Sequence, residues 1–370
     1  MARLGDIATY VNGFAFKPTD WSDTGLPIIR IQDLTGNSYQ ANRYNGKYDS
    51  KYEVIDGDVL ISWSASLGVY VWHGETALLN QHIFKVVFDK VDVDKNFFIH
   101  QVKAILERAS SAAHGATMKH LTKPVFDALS FYLPNIDEQR EIADKLDKVY
   151  ALIEYRKQQL DKLDQLVKSR FIEMFGDPVA NPMGWNKKKL SDECDIITGN
   201  TPSRKVPEYY GDYIEWIKSD NINTPEAILT NAEEYLSQSG LQVGRYVEAG
   251  AILMTCIAGS IGCIGNVAIA DRKVAFNQQI NGIVPKVNNT WFLYVLFELS
   301  KKEIQSSINM ALKGILSKGQ LSEMEFIFPP LDLQNEFATF VEQTDKLKFE
   351  VEEALEKLET QKKALMQKYF

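Results

Sequence analysis

Residues 133–177 and 328–370 carry the same long helical pattern twice, and nothing else in the chain restricts its fold so tightly. The first copy reads "LPNIDEQREIADKLDKVYALIEYRKQQLDKLDQLVKSRFIEMFGD" and the second "FPPLDLQNEFATFVEQTDKLKFEVEEALEKLETQKKALMQKYF". A shift of 195 positions superimposes them without a gap, placing Pro134 on Pro329, Gln139 on Gln334, Ala143 on Ala338, Leu160 on Leu355 and Phe175 on Phe370. Each copy is about 40 residues, or roughly 60 Å of helix. Ordinary globular helices run to roughly 8 to 20 residues, so docking on a single globule does not account for such length.

Apolar positions in both copies alternate at spacings of four and three, which is a heptad seam. In the first copy the seam runs through Ile142, Leu146, Val149, Ile153, Leu160 and Leu163; in the second, through Phe337, Val341, Val351, Leu355 and Leu358. Polar residues interrupt it at different places, Arg156 in the first copy and Thr344, Lys348 and Lys362 in the second. A polar seam residue lowers stability but fixes partner and register. Two non-identical copies in one chain are therefore expected to pair as an antiparallel coiled coil. The rival arrangement is a pair of solvated amphipathic helices docked on separate globules.

The segments before each helix also repeat. "VIDGDVLISWSASLG" from Val54 matches "YVEAGAILMTCIAGSIG" from Tyr246, aligning Gly57 with Gly250, Ser62 with Thr255, and Ser66-Leu67-Gly68 with Ser260-Ile261-Gly262. "NQHIFKVVF" at Asn80 matches "NQQINGIVP" at Asn277, and "LPIIRIQDL" at Leu26 matches "IEWIKSDNI" at Ile214, setting Arg30 against Lys218. β-Branched runs bounded by Gly or Gly-Asp turns predict strands. "FFIHQVKAILERASSAAH" and "WFLYVLFELSKKEIQSSI" have the 3.6-residue period of buried helices. The expected fold is thus mixed α/β (α+β) and internally repeated, with a globule at 1–135, a helix at 136–177, a second globule at 185–330 and a second helix at 331–370. The globules have drifted more than the helices, as expected of two readers on a common scaffold.

A length of 370 residues allows two sizeable cores. The start, "MARLGDIATYVNG", has no signal-peptide pattern, and no apolar run approaches the roughly 18 residues of a membrane span. No membrane contact is expected, and the expected location is the cytoplasm. Cys194, Cys256 and Cys263 have no CxxC spacing, and the five histidines are scattered, so neither a disulfide framework nor a metal site is indicated. The net charge is −8, and no segment is a basic block: residues 1–135 carry 13 Lys/Arg against 14 Asp/Glu, and 176–330 carry 14 against 17. Contact with nucleic acid must then come from local patches or be shared with a basic partner.

Signs of bond chemistry are missing. There is no GxxxxGK[ST] loop, and "GSIGCIG" from Gly259 has the wrong spacing for a dinucleotide site. "NPMG" at Asn181 departs from the Asn-Pro-Pro-aromatic motif of amino-methyltransferases at its third and fourth residues and reads as a turn. What the globules do carry, twice, is a kit of side chains able to bond bases and phosphates. In the first these are Arg30, Gln32, Ser62, Ser66, Asn80, Gln81, His82, Lys119 and Lys123; in the second, Lys218, Asn221, Thr255, Ser260, Asn277, Gln278, Gln279, Lys313 and Lys318. Singly, each is more often a capping or turn residue, and "NQH" and "NQQ", which begin strands, have satisfaction of the backbone as a rival role.

The Pro-x-x-x-x-Gln-x-x-Ile/Phe-Ala start of each long helix, the "IDGDVLIS" and "VEAGAILMT" strands, and the "HLTKPVFDALSFYLP" and "ILSKGQLSEMEFIFP" run-ins together resemble the DNA specificity subunit of type I restriction-modification systems, over essentially the whole chain. The resemblance implies two target-recognition domains that each read half of a split sequence in double-stranded DNA. It also implies long helices that space them and dock two modification (methyltransferase) subunits. Those subunits would hold S-adenosylmethionine and methylate adenine, and a restriction subunit would add ATP- and Mg-dependent translocation and cleavage. This chain would bind none of these cofactors and catalyse nothing. The alternatives are a scaffold with two globules that bind protein or peptide, favoured by the negative charge, and an enzyme acting alone.

Overall fold

The computed structural model describes residues 1–36, 42–112, 122–308 and 314–370. Among these, four helices are long: α1 (Lys95–Ala112), α2 (Ile136–Phe175), α3 (Thr290–Ser306) and α4 (Leu331–Tyr369). Packing divides the chain into two compact units. Unit 1 comprises residues 1–157 and 353–370, and unit 2 comprises residues 158–352. The division cuts across the segments drawn from the sequence, because each long helix gives its first half to one unit and its second half to the other.

Unit 1 is built around an antiparallel sheet in the order Thr9–Asn12, Ile83–Val87, Val59–Ser62, Gly68–Val71. A second sheet runs Arg43–Tyr44, Leu26–Ile29, Ala77–Leu79, Glu53–Val54; its inner pair is parallel and its outer pairs antiparallel. Every side chain of Val59–Ser62 is buried, and the two-residue period of a strand sends neighbours to opposite faces. Val59 and Ile61 join α1 through Phe97, Phe98 and Val102, while Leu60 joins Ile29, Val54, Ala77 and Leu79 of the second sheet. The strand is an uninterrupted apolar run because it is the middle layer.

Unit 2 repeats this strand for strand. Its first sheet is ordered Cys194–Thr198, Ile280–Pro285, Ile252–Thr255, Val267–Ile269, and its second Tyr235–Leu236, Tyr210–Ile217, Val274–Phe276, Tyr246–Val247, again with a parallel inner pair. Ile252 and Met254 face α3, and Leu253 faces Ile217, Val247, Val274 and Phe276. The aligned glycines mark the same turn: Gly57 has φ +88° and Gly250 φ +92°, a region only glycine enters without strain. One sequence match shifts. Gly68 pairs with Ser62, six residues back, whereas Thr255 bonds to Asn266, eleven residues on. A 3₁₀ turn at Ile261–Cys263 makes the unit 2 hairpin five residues longer, so Gly262 is not the counterpart of Gly68.

The helices pair antiparallel within each unit. In unit 1 the charge of Lys368 reaches Glu141 and Lys362 lies 5.6 Å from the Tyr150 ring; in unit 2 Lys348 pairs with Asp164 and Arg170 with Glu336 at 3.2 Å. Ile142, Leu146, Val149, Ile153, Phe337, Val341 and Val351 are buried, and Leu160, Leu163, Leu355 and Leu358 are half-buried. Two polar seam residues are bonded within their own helix: Thr344 Oγ1 donates to the Phe340 carbonyl at 2.9 Å, and Lys362 pairs with Glu359.

The repeated glutamine in the helix-start motif has a physical role. Gln139 and Gln334 are each only 1% exposed. Gln139 Nε2 donates to the Pro134 carbonyl at 2.9 Å and its Oε1 accepts from the Asp94 amide at 2.9 Å. Gln334 makes the same pair of bonds with Pro329 and Asn289, at 2.8 and 3.0 Å. One amide thereby ties the start of the long helix to the residue that caps α1 or α3.

Unit 1 has a further tie without a counterpart among the described residues of unit 2. His100 on α1, 7% exposed, bonds Asp147 on α2 at 2.6 Å and stacks on Tyr150 at 5.2 Å, while Asn96 holds the other Asp147 oxygen at 2.8 Å. Burial lowers the His100 pKa, with the Asp147 hydrogen bond opposing it and Lys103 assisting. Depression of a histidine pKa by folding means that protons bind preferentially to the unfolded chain. Unit 1 is expected to hold its full stability above the ordinary histidine value near 6.5 and to lose it as pH falls through the depressed one. The urea midpoint of unit 1 should therefore drop between about pH 7.5 and about pH 5.5, more in the native chain than in His100→Gln; equal slopes in both would contradict this.

Candidate nucleic-acid interface

The parallel strand pair creates a rim in each unit. Ile29 and Leu79 end neighbouring parallel strands, so the residues that follow, Arg30 and Asn80, emerge side by side; the Asn80 amide donates to the Ile29 carbonyl at 3.2 Å. Lys218 and Asn277 emerge in the same way, with the Asn277 amide 3.0 Å from the Ile217 carbonyl. The first sheet brings its loops to the same end, because Ser62 pairs with Ile83 and Thr255 with Ile280.

Closure of the rim depends on glycine. A Cβ on Gly13 would sit 2.0 Å from the Asn80 carbonyl oxygen, and one on Gly199 2.1 Å from that of Asn277. The chain passes so close because Phe14 and Asn200 donate to the Leu79 and Phe276 carbonyls at 2.9 and 3.1 Å. These glycines belong to no motif visible in the sequence.

In unit 1 the rim gathers Arg30, Ser62, Ser66, Asn80, Gln81 and His82. Ser62 is buried and its Oγ donates to the Ser66 carbonyl, closing the hairpin. Asn80 Oδ1 accepts from the adjacent Gln81 amide at 2.9 Å, and Gln81 is exposed. His82 packs its ring 4.9 Å from that of Trp63. His82 and Ala65 have φ of +74° and +59°, conformations that cost non-glycine residues about 1 to 3 kcal/mol and concentrate at functional sites. Arg30 caps the short helix Ile31–Leu34, its amide donating to Asp33 at 2.7 Å, and its guanidinium lies 5.2 Å from the Trp21 ring; Gln32 is half-buried on that turn. Lys123 stands apart, paired with Asp127 at 2.7 Å and lying over the Tyr10 ring.

Unit 2 repeats the arrangement with different chemistry. Asn277 Oδ1 accepts from the Gln279 amide at 2.9 Å, its Nδ2 donates to Gln279 Oε1 at 3.1 Å, and Gln278 is exposed and bonded by Thr201. Thr255 is buried; Ser260 is exposed and caps the Gly262 amide at 3.3 Å. Asn221 accepts from the Lys218 amide at 3.0 Å and donates to the Asn231 carbonyl at 2.9 Å. Lys318 is exposed at the start of a short helix, and Leu316 just before it donates to the Cys256 carbonyl at 2.9 Å, tying this run to the Thr255 loop. Lys119 and Lys313 lie outside the described residues. Residues not singled out in the sequence also stand here: Arg204, Glu234, Tyr210 and Trp216. Arg204 lies 4.4 Å from the Tyr210 ring and 5.2 Å from Trp216, and bonds Glu234 at 2.6 Å.

Other chemistry has little to work with among the described residues. Burial pushes the Cys194 and Cys256 thiols up to about 12, far from nucleophilic. No group of three or more His, Cys, Asp or Glu could hold a metal ion, and no helix is long and apolar enough to cross a membrane.

Two homologous units, each ending in one polar rim and sharing a pair of long helices, define an internally duplicated recognition protein. The family model described as "Type I restriction modification DNA specificity domain" matches residues 1–165 and again 182–360. The chain belongs to that family. It is 27% identical over 405 aligned residues to the EcoBI specificity subunit of Escherichia coli, covering 99% of this chain and 84% of that one. It is 22% identical to the MjaVIII specificity subunit of Methanocaldococcus jannaschii, covering 99% and 90%. Its fold matches the S subunit of a type I system from M. genitalium with TM-score 0.60 at 14% identity, over 100% of this chain and 95% of the other.

Proposed function

We propose that this chain directs a type I restriction-modification complex to a split DNA sequence, each rim reading one half, and that it carries no bond chemistry of its own. The observation that supports this most is the recurrence of one rim, with the same backbone closure and different side chains, in both units. Exposed Gln81, Ser66, Gln278 and Ser260, with Arg30 and Lys218 beside them, are the base- and phosphate-bonding groups, and Asn80 and Asn277 shape the turns that present them. Each mismatched base pair is expected to cost about 1 to 3 kcal/mol.

Two modification subunits dock on the helices and supply S-adenosylmethionine and further phosphate contacts, which an acidic chain makes only locally; a restriction subunit supplies ATP- and Mg-dependent cleavage, and the complex works in the cytoplasm. The buried seam leaves other apolar residues for docking: Leu152 and Tyr155 in unit 1, and Leu166, Ile172, Leu347 and Phe349 in unit 2, all at least 40% exposed.

Co-expression with the modification subunit, followed by mapping of methylated adenines, tests the reading. A split motif whose halves change independently when residues 1–135 or 185–330 are exchanged supports it. Methylation indifferent to loss of this chain would sink it and favour a protein-binding scaffold. If the helices set the gap between half-sites, one heptad added to both, about 10 Å of helix, lengthens the preferred gap by about three base pairs and leaves both halves unchanged. An altered base preference in that variant would contradict the ruler.

A further inference from the structure

The two rims differ in charge at one equivalent position. Backbone register sets the equivalence: the Ile28 amide donates to the Asn42 carbonyl at 2.8 Å, and the Trp216 amide to the Glu234 carbonyl at 2.9 Å, on strands whose next residues, Ile29 and Ile217, accept from Asn80 and Asn277. Asn42 and Glu234 therefore stand beside the rim cations Arg30 and Lys218.

In unit 1 the acceptor is neutral. Asn42 is buried, and with its amide oxygen turned to Arg30 it accepts from Nη1 at 2.8 Å and Nη2 at 2.5 Å, while the guanidinium faces Trp21. In unit 2 the acceptor is a carboxylate shared by two cations. Glu234 Oε1 takes Lys218 Nζ, and Oε2 takes Arg204 Nη2 at 2.6 Å. Both cations also lie on rings, Lys218 at 5.7 Å from Trp216 and Arg204 between Trp216 and Tyr210. The Lys218 hydrogen bond holds the Glu234 carboxyl below the usual range, with Arg204 adding to it against partial burial, so the group is ionised at neutral pH. The side chains of Arg204, Lys218 and Glu234 are 56%, 33% and 32% exposed. Solvent and a ligand can reach them.

We propose that Glu234 is a positioning and specificity-determining residue of the unit 2 rim: its carboxylate fixes Arg204 and Lys218 as a paired set of donors facing DNA, as Asn42 fixes Arg30 alone in unit 1. This rests on the rim reading above. Long cationic side chains sample many rotamers, and a donor discriminates base edges only when its position is set before binding. One anion shared by two cations sets both, and it keeps the local charge at one, as in unit 1. The rim then gains a second donor without gaining non-specific attraction to every phosphate. A fixed pair of Arg and Lys donors suits the O6 and N7 acceptors of guanine.

The test uses the full chain assembled with its modification subunits, on duplexes carrying the mapped motif and on the same duplexes scrambled in one half. Glu234→Gln keeps the shape and removes the charge. The slope of log affinity against log salt should steepen by about 0.9, one more neutralised phosphate, and discrimination in the unit 2 half should fall about tenfold, the lower part of the range for a lost base contact. Discrimination in the unit 1 half should stay constant, and Glu234→Asp should restore the native salt slope. Unchanged discrimination in Glu234→Gln, when Lys218→Met and Arg204→Met each reduce it, would overturn the role of Glu234 and leave the rim reading standing. Unchanged binding and discrimination in all three variants would overturn the rim reading itself.

Discussion

Gly199→Ala should abolish recognition of one half-site and leave the other intact, and Gly13→Ala should do the converse. The added methyl of Gly199→Ala would meet the Asn277 carbonyl oxygen at 2.1 Å and the Phe276 ring at 2.6 Å; in Gly13→Ala it would meet the Asn80 carbonyl at 2.0 Å. Real contacts of this kind need more than 3 Å, so the strand must move by about an ångström. Backbone on both sides resists, because the amides that bring the two segments together also close the sheet. Overpacking of this kind costs about 3 kcal/mol or more, which is about a hundredfold in the population of the closed rim. The check is affinity of the assembled complex for duplexes scrambled in either half, with helix content as the control for global unfolding. Full retention of both half-sites in Gly199→Ala would show that the close approach does not shape the reading surface.

Those glycines illustrate what the sequence hides. The long helices were legible because their information is local: a heptad period, a gapless offset, and a Pro-x-x-x-x-Gln start whose glutamine bonds five residues back. The buried central strands were legible too, from apolar runs after a Gly-Asp or Gly turn. Neither rim could be read, because each is closed by pairing of Leu26–Ile29 with Ala77–Leu79, or of Tyr210–Ile217 with Val274–Phe276, segments about fifty residues or more apart. Only that pairing sets Arg30 beside Asn80 and Lys218 beside Asn277. It also reveals Ser62 and Thr255 as buried, and Asn80 and Asn277 as bonding backbone amides of the turns they begin, the rival structural role that the sequence had left open. The equivalence of Asn42 and Glu234 was hidden by a slip of one residue: "NRY" and "EEY" invite alignment of Tyr44 with Tyr235, but the hydrogen bonds set Tyr44 against Leu236. Paired lists of polar residues suggested two readers; backbone register gathers those residues at one rim in each unit.

Phe171→Ala should be the most damaging single truncation in unit 2. Phe171 reaches from α2 to Phe292 of α3 and Phe337 of α4, with ring centroids 5.5 and 5.4 Å away, and touches Phe175 at 4.9 Å; all four rings are fully buried. Truncation removes the ring that joins three helices and leaves a cavity that its rigid aromatic neighbours cannot fill, a loss of about 3 to 5 kcal/mol. Unit 1 is assembled differently at the matching place. Phe97 meets Phe370 at 5.6 Å, Ile142 stands where unit 2 has Phe337, and Phe370 is only half-buried. Phe370→Ala should therefore cost less than half as much. Because one global midpoint cannot tell separate from joint unfolding of the units, amide exchange resolved along the sequence is the suitable measurement. Protection should collapse in residues 190–345 for Phe171→Ala while residues 54–110 keep theirs. Equal losses in the two units, or a Phe370→Ala effect as large as that of Phe171→Ala, would mean that stability is shared along the helices and is not set by each unit's own aromatic core.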